Sequence, residues 1–292
     1  MRMRVAGMTD VGLLREHNED SLLLMADFRV VAVADGMGGH RSGDVASQLA
    51  VSTLSDFFSV TVGCDATWPF PADPSLTDEE NYVVTGLRLA NRRIFDRSLK
   101  TMADFGMGTT IVTAIFNPTA QRITVGHVGD SRCYRVRGDE ILQLTRDHSL
   151  VSDATHMAPW MSEEELRQIP SNVITRALGI REDVLVDLIT EETRAGDIYV
   201  LCSDGLSGLV SDEQIHQVTT SHATLEEACA ALIQRANFFG GTDNITVVLA
   251  KVEEDIEVEA TSPEVEIVSS PARVPESDPP SDPPSDPPEQ KQ

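Results

Sequence analysis

Short apolar runs joined by tight turns constrain this chain more than any other feature. Runs rich in Val, Ile and Leu predict strands over 3–9, 21–25, 29–35, 107–116, 121–128, 131–136, 184–190, 197–203 and 244–251. Tight turns such as "NPTA" (117–120) and "RGDE" (137–140) follow these runs and are too short for a crossover connection. Strands joined this way must pair antiparallel. Helix starts are also marked. Thr77 with Glu80, Ser162 with Glu165, Ser211 with Gln214 and Thr224 with Glu227 all show the Ser/Thr-x-x-Glu/Gln spacing of a capping box. Ser42 opens a further helix, "GDVASQLAVSTLSDFF", with Val45, Leu49 and Leu54 expected on one face. Many antiparallel strands with a few long helices imply an α+β layered domain.

The chain has 292 residues, of which 41% are hydrophobic, enough for one large core. Its end reads differently. From Glu253 onward there are 12 acidic and 2 basic residues, and "SDPP" repeats at 277–280, 281–284 and 285–288. Proline removes backbone donors and the carboxylates repel, so a packed core is not expected there. The reading is a folded domain over 1–254 and a disordered acidic, Pro-rich tail over 255–292. The tail is expected to solubilise or tether, with docking of a basic partner as the alternative. A net charge of −24 disfavours binding to nucleic acid and favours divalent cations. The four cysteines form no C-x-x-C pair and are expected to be reduced and structural. The N-terminus lacks the apolar core of a signal peptide, and no apolar stretch is long enough to span a bilayer. The expected location is the cytoplasm, away from the membrane.

Carboxylates recur where apolar runs end. Asp35 follows "VVAVA", Asp130 follows "ITVGHVG" and Asp204 follows "IYVLCS". Asp243 precedes "NITVVLA", and Glu19 and Asp20 precede "SLLL". Each alone is a common turn residue. Together, with glycines beside Asp35 and Asp204, they suggest one cluster. Buried like charges need a partner, and hard oxygen ligands select Mg²⁺ or Mn²⁺ rather than zinc. The P-loop and the G-x-S-x-G nucleophile elbow are both absent from the sequence. Arg15, four residues before Glu19, offers a guanidinium suited to a phosphate dianion, or to a surface salt bridge.

Eight blocks carry a resemblance: "REHNEDS" (15–21), "VVAVADGMGGH" (30–40), "GMGTTIV" (106–112), "VGDSRCY" (128–134), "LTRDHS" (144–149), "ITRALG" (174–179), "LCSDGL" (201–206) and "GGTDNITVV" (240–248). In this order they resemble the metal-dependent serine/threonine protein phosphatases, the type-2C or PPM family, in its bacterial form. The resemblance covers residues 3–252. It implies a four-layer αββα sandwich, two mainly antiparallel central sheets flanked by helices. It also implies hydrolysis of phosphoserine and phosphothreonine monoesters by a metal-activated hydroxide, in line and without a phosphoenzyme. Two core ions, Mn²⁺ or Mg²⁺, would be held with Asp35 bridging, the Gly36 carbonyl on one ion, and Asp204 and Asp243 on the other. Glu19 and Asp20 would act nearby, directly or through water. Asp130 with Asp204 would hold a third, weaker ion. Asn244 would orient the ligands and Arg15 would bind the phosphate. Where some members carry a histidine after Asp-Gly, this chain has Met37, so the general acid would be His40 or a metal-bound water. Residues 148–171, with Trp160 and Met161, match the family's variable flap. The implied partners are phosphoproteins, among them a Hanks-type kinase and its substrates, with the enzyme acting as a monomer.

Overall fold

The computed structural model describes residues 1–38, 42–61, 68–170 and 172–254. Two antiparallel sheets form its centre. One runs in the order β1 (Arg2–Asp10), β11 (Ile245–Glu253), β10 (Ile198–Cys202), β7 (Arg132–Arg137), β8 (Glu140–Gln143). The other runs β2 (Asp20–Met25), β3 (Val30–Met37), β5 (Ile111–Asn117), β6 (Arg122–Val128), β9 (Asp187–Glu192), and β4 (Gly108–Thr109) pairs with the end of β3. Helices α1 (Gly43–Thr61) and α2 (Asp78–Lys100) cover the second sheet. Helices α6 (Asp212–Ser221) and α7 (Leu225–Phe238) cover the first. Three further helices are short: α3 (Leu150–Met157), α4 (Glu163–Leu166) and α5 (Asp204–Ser207).

The four layers follow from the two-residue side-chain period of a strand. In β3, Val30, Ala32 and Ala34 pack on α1 and α2, while Val31 and Val33 pack against the other sheet. In β11, Ile245, Val247 and Leu249 face the helices, and Val248, Ala250 and Val252 face inward. Both faces are dry, so the strands read as unbroken apolar runs rather than as alternations. All four expected capping boxes form, at Thr77, Ser162, Ser211 and Thr224.

Several expectations change. The run 107–116 is not one strand. It breaks at Thr110, whose N–H donates to the Asp35 carbonyl at 2.8 Å and whose hydroxyl accepts from the Asp35 N–H at 3.3 Å. The expected strand 184–190 lies later, at Asp187–Glu192. Strand β8 and helices α3 and α5 carry too little periodicity to be seen in sequence. On α1, Leu54 is fully buried but Val45 and Leu49 are only half-buried. Val45 and Leu54 are nine residues apart, about two and a half turns, and so lie on opposite sides. The packed face is instead Ala46, Ala50, Leu54, Phe57 and Phe58.

Helix α2 lies close against its sheet at Gly126, where an added Cβ would stand 2.2 Å from Val83 Cγ1. Val is stiff at χ1 and cannot swing aside. Gly126→Ala is therefore expected to cost about 1–3 kcal/mol, read as a lower denaturant midpoint. An unchanged midpoint would contradict this packing.

Candidate active site

The expected carboxylates gather at one end of the two sheets. Asp20 and Asp35 face each other in the β2–β3 ladder. Asp130 follows β6, Asp204 follows β10, and Asp243 precedes β11. The neighbouring strand ends are tied by backbone-level contacts. The Gly36 N–H donates to the Glu19 carbonyl at 3.1 Å. The Glu19 N–H donates to Asn244 Oδ1 at 2.8 Å, and Asn244 Nδ2 donates to the carbonyls of Val11 and His17, each at 2.9 Å. Asn244 thus clamps the 11–19 loop to β11. Gly36 is required by space as well: a Cβ there would lie 2.1 Å from the Gly43 carbonyl oxygen. A turn that close to helix α1 admits no side chain.

Each carboxylate of the cluster whose protonation is perturbed is pushed toward the neutral form. Burial raises Asp20 to about 6, opposed by hydrogen bonds from Thr246 and Ser203 and reinforced by Asp204 and Asp243. Asp35 is raised well above the usual range by burial and then by Asp20, Asp204, Asp130 and Asp243. Burial, then Asp204 and Asp147, raise Asp130 to about 7. Asp204 is raised by burial and Asp243, and eased by a hydrogen bond from Asp35. Glu19 is raised by burial and Asp44. Burial and, after it, the neighbouring carboxylates thus both oppose ionisation here.

The donor set suits a hard divalent cation. It is oxygen only, and Asp20 Oδ1 is buried without a hydrogen-bond partner while Oδ2 accepts from Ser203 at 2.8 Å. The placement is not a closed cage. Among the described residues, no three of these carboxylates bring one oxygen each within 4.8 Å of one another. The trio that does is His127, His148 and Asp187, on β6, before α3 and on β9. No spacing in the sequence announces it.

Arg15 is engaged with the cluster. Its Nη2 lies 2.7 Å from Asp243 Oδ2. Burial works against its charge, but Asp243 wins and the guanidinium pKa is raised. The pair is half open to solvent, and such pairs are worth about 0–1 kcal/mol, so it holds Arg15 only weakly. A groove of about 510 Å³ lined by Asn18, Asp20, Asp44, Gln48 and Arg97 opens beside the cluster and shares Asp20 with it. His40 lies outside the described residues. Trp160, on the segment expected to be a flap, is 80% exposed. Sequence reasoning missed the hydroxyls that hold the carboxylates, Ser203 on Asp20 and Thr110 on the Asp35 backbone. Their only trace was their place inside the "LCSDGL" and "GMGTTIV" blocks.

Comparison with known proteins agrees with this architecture. The serine/threonine phosphatase stp of Listeria monocytogenes serotype 4b (strain F2365) is 38% identical over 253 residues, 85% of this chain and 94% of that protein. Protein phosphatase PhpP of Streptococcus pneumoniae is 34% identical over 257 residues, 87% of this chain and 99% of that protein. The crystal structure of the Mycobacterium tuberculosis serine/threonine phosphatase PstP/Ppp matches with a TM-score of 0.74 at 36% identity, over 87% of this chain and 100% of that one. The catalytic domain of PstP in complex with 2 manganese ions matches with a TM-score of 0.73 at 36% identity, over 86% of this chain and 99% of that one. The family model for protein phosphatase 2C matches residues 15–237, and this chain belongs to that family.

Proposed function

We propose that the chain hydrolyses phosphoserine and phosphothreonine monoesters on proteins, and that its carboxylate cluster holds Mn²⁺ or Mg²⁺ for that purpose. The observation that carries this reading is the set of mutually repelling carboxylates around Asp35, all oxygen donors, with Arg15 at its edge. Bound cations would lower the pKa of a water and neutralise charge on the phosphoryl oxygens. Asp35 and the Gly36 carbonyl would help hold the ions. Asp204 and Asp243 would complete one core site, with Glu19 and Asp20 nearby. Asp130 with Asp204 would form a third, weaker site. Arg15 would exchange Asp243 for the substrate phosphate and so orient the phosphorus.

The described cysteines support hydrolysis without a phosphoenzyme. Cys133, Cys202 and Cys229 are free and buried. Burial pushes the thiols of Cys202 and Cys229 up to about 12, and that of Cys133 well above its ordinary value. A thiol in that state is a poor nucleophile. We further propose that the catalytic unit is 1–254, that 255–292 is an appendage, and that the enzyme works as a cytoplasmic monomer opposite a Hanks-type kinase. Among the described residues, no helix is long and apolar enough to cross a membrane.

Turnover of a phosphothreonine peptide tests the reading. With Mn²⁺ the intact chain and a chain ending at Glu254 should both turn it over. EDTA, or Asp204→Ala, should reduce the rate by at least about a hundredfold. Equal rates with and without the cation would refute the metal reading, and loss on truncation would refute the boundary.

The raised carboxylates also predict a pH dependence with a definite sign. Asp20 and Asp130 ionise near 6 and 7 in the fold but near 4 when unfolded. The folded chain therefore holds protons that the unfolded chain has released. This contribution to stability is fully present below about pH 4 and is lost as pH rises through about 6 to 7. In EDTA, the melting temperature should fall between about pH 5 and pH 8, and saturating Mn²⁺ should flatten that fall. The same slope in both conditions would count against cation binding at these groups.

A further inference from the structure

His148 is 1% exposed and lies just before α3. Its Nδ1 accepts the Gly129 N–H at 3.0 Å, and its own N–H donates to the Gly129 carbonyl at 3.0 Å. Its carbonyl in turn accepts the Thr175 N–H at 2.8 Å. Gly129 has φ +111°, and a Cβ there would stand 2.5 Å from Thr110 Cβ. The Gly129 turn is therefore fixed by His148 and bounded by Thr110, the residue that holds the Asp35 backbone. The next residue is Asp130.

We propose that His148 is a positioning residue for Asp130, acting through the Gly129 turn with its ring held in one tautomer. This rests on the reading of Asp130 as an ion ligand. An acceptor at Nδ1 needs a lone pair there, so the neutral ring carries its proton on Nε2. Nε2 faces Asp187 Oδ2 at 3.2 Å, an approach of the neutral ring N–H too poorly aligned to count as a full hydrogen bond. Arg176 holds the other oxygen of Asp187. Burial, then Arg176, keep the imidazole pKa below its ordinary value despite Asp187, which favours the neutral ring this arrangement needs.

The trio His127, His148 and Asp187 invites a second reading, because their donor atoms lie within 4.8 Å and His127 Nδ1 is buried without a partner. A metal on His148 Nε2 would force the ring proton onto Nδ1, directly against the Gly129 N–H. The Gly129 contact therefore favours the positioning role over a metal ligand. His127 stacks on the His148 ring, centroids 4.6 Å apart and planes at 15°, and so fixes its plane.

Two substitutions separate the nitrogens. His148→Asn keeps an acceptor near the Nδ1 position, whereas His148→Gln keeps a polar group near Nε2. Mn²⁺ is titrated calorimetrically into the full-length protein, with Asp130→Asn marking the binding event that depends on Asp130. His148→Gln should weaken that event by roughly tenfold to a hundredfold, while His148→Asn stays near the wild type. Equal effects of Asn and Gln, or a larger loss in Asn, would overturn the proposal. If Asp130→Asn leaves the whole titration unchanged, the ion-ligand reading fails first and the proposal falls with it. Long-range ¹⁵N NMR of the wild-type imidazoles adds a check that needs no variant. A proton on Nε2 is expected, and a proton on Nδ1 or a bound metal at His148 would refute the assignment.

Discussion

Repulsion among carboxylates brought to the end of two packed sheets is the constraint on which the rest of this structure turns. Asp35 alone is opposed by burial and by four other aspartates, Asp20, Asp204, Asp130 and Asp243. Like charges held in a low dielectric repel by amounts that a marginally stable fold cannot ignore. The chain answers with protons, with a few hydroxyl and backbone donors, and with Arg15. None is equivalent to a divalent cation, since Arg15 pairs directly with Asp243 in a half-exposed pair and acts on Glu19, Asp35 and Asp204 only at longer range.

What holds the cluster is mainly backbone. Asn244 ties the 11–19 loop to β11, Thr110 ties the strand break to Asp35, and Gly36 lets α1 close over the turn. These part-buried hydrogen bonds engage backbone groups, so they set the positions of the strand ends more firmly than exposed ion pairs would. The sheets supply rigidity, and Asp35 near the end of β3, Asp130 after β6 and Asp204 after β10 bring their carboxylates to one end of them.

Much of this was legible in sequence. The apolar runs gave most strands because both faces of each sheet are covered, and four helix starts were written in capping boxes. The carboxylates were visible one by one as breaks at the ends of apolar runs. Their convergence was read from the glycines beside Asp35 and Asp204 and from the resemblance, since local periodicity does not encode how β2, β10 and β11 are placed. The same limit hid the His127–His148–Asp187 trio, whose members come from three distant segments. Local errors had local causes. A helical face cannot join Val45 to Leu54, and the run 107–116 hid a break that exists to hold Asp35.

The central claim is that Asp35 joins two cations in one cluster. Native mass spectrometry of the protein in Mn²⁺ counts bound ions directly, and Asp35→Asn removes the bridging charge while keeping its size. The account predicts two tightly held ions in the wild type and the loss of both together in the variant. Retention of either ion at wild-type affinity in Asp35→Asn would contradict it.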